Sequence, residues 1–178
     1  MSFSISNTLG PWTTDTFTLS LTTTPEFPNP PFAVGTVIAG SQGAEWLFCR
    51  LAPSQTIAAG DFVYVSSTDA GFLITSFANA ARGTTLGAIV GVAGAAATST
   101  ASSANFIWIQ RKGVYLNANV ATSSTGFTQL RSSATGGRVT STATASTSVQ
   151  VNGVVALATA AANLANVMLN YPAIGAND

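Results

Sequence analysis

The chain has 178 residues, no histidine and zero formal net charge, with 7% of its residues charged and 47% hydrophobic. Lack of histidine removes the commonest general base, the commonest zinc ligand and the serine triad, and six cations balanced by six acids cannot neutralise a run of phosphates. Cys49 is the only cysteine, which excludes an intramolecular disulfide, so enzyme, nucleic-acid-binding and disulfide-framework readings are all disfavoured.

The first 34 residues differ from the rest. Pro11, Pro25, Pro28, Pro30 and Pro31 are five of the seven prolines, set among threonines. Proline removes backbone donors and biases its predecessor toward extended geometry, so Thr22 to Phe32 is not helical. One alternating strand is expected before it, Thr16 to Leu21. The segment reads as an extended arm whose anchors, and candidate partner-binding residues, are Trp12, Phe17, Phe27, Pro28, Pro30, Pro31 and Phe32. Phe3 is a further aromatic of the arm; a disordered tail rarely holds so many. The alternative is a first strand and loop packed on its own domain.

From residue 35 to 178 strand signals recur about every ten residues. Ala33 to Ala39 and Glu45 to Leu51 are the first. Ile57 to Val65 contains a Gly-Asp turn entering a β-branched and aromatic run. Thr68-Asp69-Ala70-Gly71 is expected to turn into Phe72-Leu73-Ile74. Leu86 to Val92 reads as a buried strand. Asn105 to Gln110 and Val114 to Leu116 are expected to form a hairpin about Arg111-Lys112-Gly113. Gly126 to Leu130, Arg138 to Thr140, Val149 to Leu157 and Asn166 to Asn170 follow, although Val154 to Leu169 is rich enough in alanine to be helical on propensity. The resulting expectation is an all-β fold, a small barrel or sandwich of short antiparallel strands with an extended N-terminal arm. A faint internal repeat relates Gly87 to Ala93 and Ala104 to Ile109 with Gly153 to Ala158 and Ala165 to Leu169, each reading as strand, small-residue connection, strand.

Met1 to Asn7 has neither a basic nor a continuous apolar region, so no secretory signal is read. The apolar run Leu86 to Ala97 is too short to span a bilayer, and Gly153 to Leu169 is broken by Thr159, Asn163 and Asn166. A soluble chain made in a cytoplasm, with no membrane partner, is expected. Its mean hydropathy of +0.38 nevertheless sits uneasily with so little charge. Either serine and threonine, about a quarter of the chain, solvate the surface, or an assembly buries much of it.

No constellation for catalysis emerges. Asp61 and Asp69 lie at turns, where aspartate satisfies backbone donors; a calcium site between them, or a facing Glu45–Asp61 pair of the glycosidase kind, are the competing readings. Cys49, flanked by Leu47, Phe48 and Arg50, reads as a buried thiol. Gly87, Gly91 and Gly94 lack the Lys-Ser/Thr of a phosphate loop. Arg111-Lys112 reads as a solvated tip, and Trp46, Trp108 and Tyr115 as core aromatics or, alternatively, a sugar-stacking platform. No metal or cofactor is expected.

Four passages in order carry a resemblance: Ala59-Gly60-Asp61-Phe62-Val63-Tyr64-Val65, then Leu86-Gly87-Ala88-Ile89-Val90-Gly91-Val92-Ala93, then Asn105 to Val114, then Leu130 to Val139. Across residues 57 to 158 the chain resembles the decoration, or cement, proteins of tailed-bacteriophage capsids. The resemblance implies a β-rich structural virion protein, commonly a homotrimer, on the capsid exterior, made in the bacterial host cytoplasm and locking neighbouring major capsid protein subunits. It implies no catalytic residues. The low charge departs from the family, and residues 1–34 lie outside the match; deleting them is expected to leave the β domain folded and to weaken attachment. The alternative is a glycan- or receptor-binding β module of a virion fibre or surface layer.

Overall fold

The computed structural model describes residues 16–20, 30–67, 72–78, 87–122, 124–142 and 148–177. Among them there is no α-helix, only a short 3-10 turn at Ser41–Gly43. The chain is all-β, as its spacing of β-branched runs and turn residues predicts.

Five strands close on one another. β3 (Glu45–Leu51) pairs with β9 (Ser103–Asn119), β9 with β7 (Val90–Ala93), β7 with β5 (Phe62–Ser67), β5 with β6 (Leu73–Ser76), and β6 returns to β3. The last pairing is parallel and the others antiparallel. A closed ring leaves no unpaired edge, and its inward positions make one core: Leu47, Cys49, Leu51, Val63, Val65, Ile74, Ile107 and Ile109. β4 (Thr56–Ile57) and β8 (Ala97–Thr98) form a two-stranded ribbon that adds Ile57 to that core.

A second layer continues the same sheet beyond β9. The second half of β9 pairs with β13 (Leu164–Asn177), which pairs with β12 (Val149–Ala156); β10 (Gln129–Ser132) and β11 (Val139–Thr140) complete the order. Its inner face, with Ala118, Leu130, Val151, Val154, Val167 and Leu169, packs on Phe62, Val90 and Val92. The architecture is therefore a small barrel with a sheet laid against its wall. Both passages of the internal similarity fold as antiparallel pairs, β7 with β9 and β12 with β13.

One sequence expectation is corrected here, and one alternative that the sequence left open is decided. The hairpin about Arg111-Lys112-Gly113 is instead one continuous strand of 17 residues. Gly113, at φ +88, bends β9 without reversing it, because each half has its own partners: β3 and β7 before the bend, β13 after it. The buried Gln110 amide holds the bend, donating to the carbonyls of Lys112 (2.8 Å) and Val114 (3.1 Å). The alanine-rich stretch from Val154 is not helical but forms the end of β12, a turn and the start of β13. Inward placement of Val149, Val151, Val154 and Ala156, with the alternation shifted by one residue at the irregularity between Asn152 and Val154, and of Ala165, Val167 and Leu169, overrides helix propensity once each strand has a neighbour. The expected turn at 68–71 lies outside the described residues.

Candidate functional site

The described residues of the expected arm, 16–20 and 30–34, meet the barrel on the outer wall of β3 and β9. Outward positions of these strands are aromatic: Phe48, Phe106 and Trp108, all buried, with Phe48 and Trp108 rings 4.9 Å apart. β1 (Phe17–Ser20) adds antiparallel to the first half of β9, placing Phe17 opposite Phe106 with ring centroids 5.9 Å apart. The Thr18 hydroxyl donates to Asn105 Oδ1, and the Asn105 amide in turn donates to the Thr98 carbonyl. Phe32 lies edge-on to Phe48 (5.8 Å) and Trp108 (5.4 Å). β2 (Val37–Ala39) then pairs with β3, bringing Ile38 to the same wall.

Of the arm residues singled out from sequence, Phe17 and Phe32 thus cap the chain's own aromatic wall. Pro30 is half-buried and Pro31 exposed. Trp12, Phe27 and Pro28 lie outside the described residues.

A second surface was not anticipated from sequence. The outer face of the added sheet carries Val114 and Leu116 from β9, Leu164 and Met168 from β13, and Val155 from β12, all exposed. Val155, Met168 and Val114 lie in one cross-strand row, extended by Gln129 of β10. Beside the row, Phe127 is 78% exposed, its position set by its N–H donating to the Ala156 carbonyl at 2.7 Å. The polar residues between are neutral: Gln129 donates to Gln150 and Asn152, and Asn166 accepts from the Asn117 N–H. The signal for this face is the near-continuous apolar run Leu164-Ala165-Asn166-Val167-Met168-Leu169; such runs mark strands covered on both faces.

At the edge of the face, where β9 bends, three charged residues of the described part of the chain come together: Glu45, Arg111 and Lys112. The Arg111 guanidinium and the Lys112 ammonium lie 5.4 and 5.5 Å from the Tyr171 ring centroid, and the Tyr171 hydroxyl donates to Glu45 (3.0 Å). Glu45 and Lys112 are cross-strand partners. Arg111-Lys112 is therefore part of a corner between barrel and sheet rather than a hairpin tip.

The remaining chemical candidates have structural roles. Asp61 Oδ2 accepts from the Ala58 N–H (2.7 Å) and Oδ1 from the Asn119 amide (2.5 Å), closing the turn before β5. Asp69 lies outside the described residues, and among those described no group of His, Cys, Asp and Glu could hold a metal ion. Cys49 faces the barrel interior, where burial pushes its thiol far above the ordinary cysteine value and Arg111 pulls more weakly the other way. Trp108 is 1% exposed beneath Phe32, which removes it from any sugar platform. Trp46 and Tyr115 remain as a half-buried pair 6.2 Å apart, and the Tyr115 hydroxyl donates to the Ala93 carbonyl.

No protein-family model matches the chain, and no curated protein matches it in sequence. Among solved structures it is similar to a chain of the capsid of the Myoviridae phage XM1, with a TM-score of 0.50 and 15% identity. The likeness covers 85% of this chain and 97% of that one. At such low identity it is a likeness of fold: the barrel and its added sheet share their architecture with a chain found in a phage capsid.

Proposed function

We propose that the protein is a structural component of a phage virion, which binds the exterior of the assembled head as a homotrimer and cements neighbouring major capsid subunits. The observation that carries this reading is the fold shared with a chain of a phage capsid over 85% of the length. Three features of the chain support it: few charges, four family-like passages in order, and an exposed apolar sheet face. Apolar burial at about 25 cal/mol per Å2 holds such a contact with little salt sensitivity, although ordering costs cancel much of the gross gain. No reaction and no cofactor is assigned.

Within this reading, residues 1–34 are the arm and residues 35–178 the decoration domain. In this reading Phe17 and Phe32 root the arm on the aromatic wall, and Trp12, Phe27, Pro28, Pro30 and Pro31 are its contacts to the capsid. Because Phe17 and Phe32 cover Phe48, Phe106 and Trp108, deleting the whole arm would uncover that wall; point substitutions test the arm more cleanly.

The test is co-sedimentation with heads stripped of the protein. The intact chain is expected to bind saturably, with binding retained at high salt, and to give no saturable signal on a glycan array. Trp12→Ala with Phe27→Ala is expected to weaken head binding about tenfold at unchanged melting temperature. No head binding by the intact chain overturns the reading; undiminished binding by the double variant overturns the arm's role.

A further inference from the structure

We propose that Asn152 is a self-modifying site, whose side-chain amide is lost to attack by the backbone nitrogen of Gly153, leaving an aspartyl or isoaspartyl residue on the outward face of β12. The co-reactant is water, and the chemistry is independent of what the chain binds. Hydroxide takes the Gly153 amide proton, and the nitrogen bonds to Asn152 Cγ to close a five-membered imide. The Cγ–Nδ2 bond breaks, and the nitrogen takes a proton back and leaves as ammonia. One water then opens the imide at either carbonyl, so one ammonia is released for each water consumed.

An asparagine in a strand is ordinarily protected, because ladder hydrogen bonds hold the next N–H and the next side chain obstructs its approach. Neither protection applies here. Asn152-Gly153 is the only Asn-Gly pair in the sequence, and glycine has no Cβ to stand in the way. Both residues are exposed. The ladder steps over Gly153, pairing Asn152 with Ala173 and Val154 with Leu169. Across the step lie Asn170, the left-handed Tyr171 (φ +49) and Pro172, which has no N–H. Glycine is also obligatory at 153: its φ is +76, and a Cβ would lie 2.5 Å from the Asn170 carbonyl oxygen. The bulge that requires this glycine therefore keeps the reactive pair in the fold.

The surroundings of the carboxamide favour the step. Gln129 Nε2 donates to Asn152 Oδ1 at 3.2 Å, where negative charge develops as the nitrogen adds to Cγ. The same donor suits the carboxylate of the aspartyl product. On the other side Gly175 leaves room for the departing group, since a Cβ there would lie 2.9 Å from Asn152 Nδ2. The other exposed asparagines of the described residues, Asn117, Asn166 and Asn170, precede Ala118, Val167 and Tyr171, whose side chains hinder the same attack. Modification takes the chain from zero formal net charge to one negative charge, set beside the neutral amides of Gln129 and Gln150.

The test holds the full-length protein in neutral and in mildly alkaline buffer, folded and, in parallel, unfolded in urea. Ion-exchange chromatography and peptide mass mapping follow it with time. The folded chain is expected to yield an acidic form in which the peptide holding residue 152 has exchanged the mass of NH for that of O, faster in the alkaline buffer. Loss at Asn152 is expected to run at least about tenfold faster than at Asn117, Asn166 or Asn170. Asn152→Gln, which would have to close a larger ring, is expected to yield no such form. Gln129→Ala is expected to slow the loss about threefold, whereas mere loosening of the sheet would speed it. An Asn152 that stays intact in the folded chain while the unfolded chain loses it overturns the assignment, because the bulge would then protect the pair. The same acidic form arising equally fast in Asn152→Gln overturns it in favour of another site. An unchanged or faster loss in Gln129→Ala overturns the part given to Gln129.

Discussion

Asp61 shows what one side chain does in a molecule with so few charges. Its two carboxylate oxygens tie the Ala58 backbone and the Asn119 amide together, bracing the turn before β5 against the far end of β9. Gly60 must precede it: at φ +85 it sits so close to β9 that a Cβ would lie 2.9 Å from the Asn117 carbonyl oxygen. Asp61→Ala is therefore expected to cost about 1–3 kcal/mol, read as a lower urea midpoint at unchanged m-value. The turn half of this brace is legible in the motif Ala-Gly-Asp, because aspartate in turns satisfies local donors. Its Asn119 half is not, since 58 residues separate donor from acceptor.

Element identity follows local pattern wherever a segment has one fate along its length. β3 was expected at Glu45 to Leu51 and is found there, its alternate residues facing the barrel core and the aromatic wall. β9 has two fates, and its local pattern does not disclose them. A glycine after two basic residues suggests a turn, yet it serves as a hinge through which one strand passes from the barrel to the added sheet. Gly113→Ala is expected to destabilise by about 1–3 kcal/mol, because residue 113 holds a left-handed φ and a Cβ there would lie 2.9 Å from Ala44 Cα. Thermal unfolding of the variant checks this, and an unchanged melting temperature would mean that the bend can relax. β12 and β13 teach the opposite lesson: alanine favours helix in isolation, but paired valines with a common inward face settle the strand.

For the molecule as a whole, the apolar composition and the exposed sheet face pose one question, namely what covers so much uncharged surface. In the proposed reading, assembly does. Light scattering is expected to return three times the 18.0 kDa chain mass at both low and high salt, because apolar association is only weakly screened. A monomer at both salts would exclude a preformed trimer. Composition, periodicity and turn chemistry by themselves determined that this chain is all-β and that it offers none of the histidine chemistry of common enzyme sites, because these are properties of residue type and short-range spacing. Only the tertiary structure decided that five strands close into a barrel, that Phe17 and Phe32 cover an aromatic wall, and that an apolar face is left outward on β12 and β13. Those outcomes depend on which distant strands pair and in what register, and a one-residue change of register would turn each of those faces over.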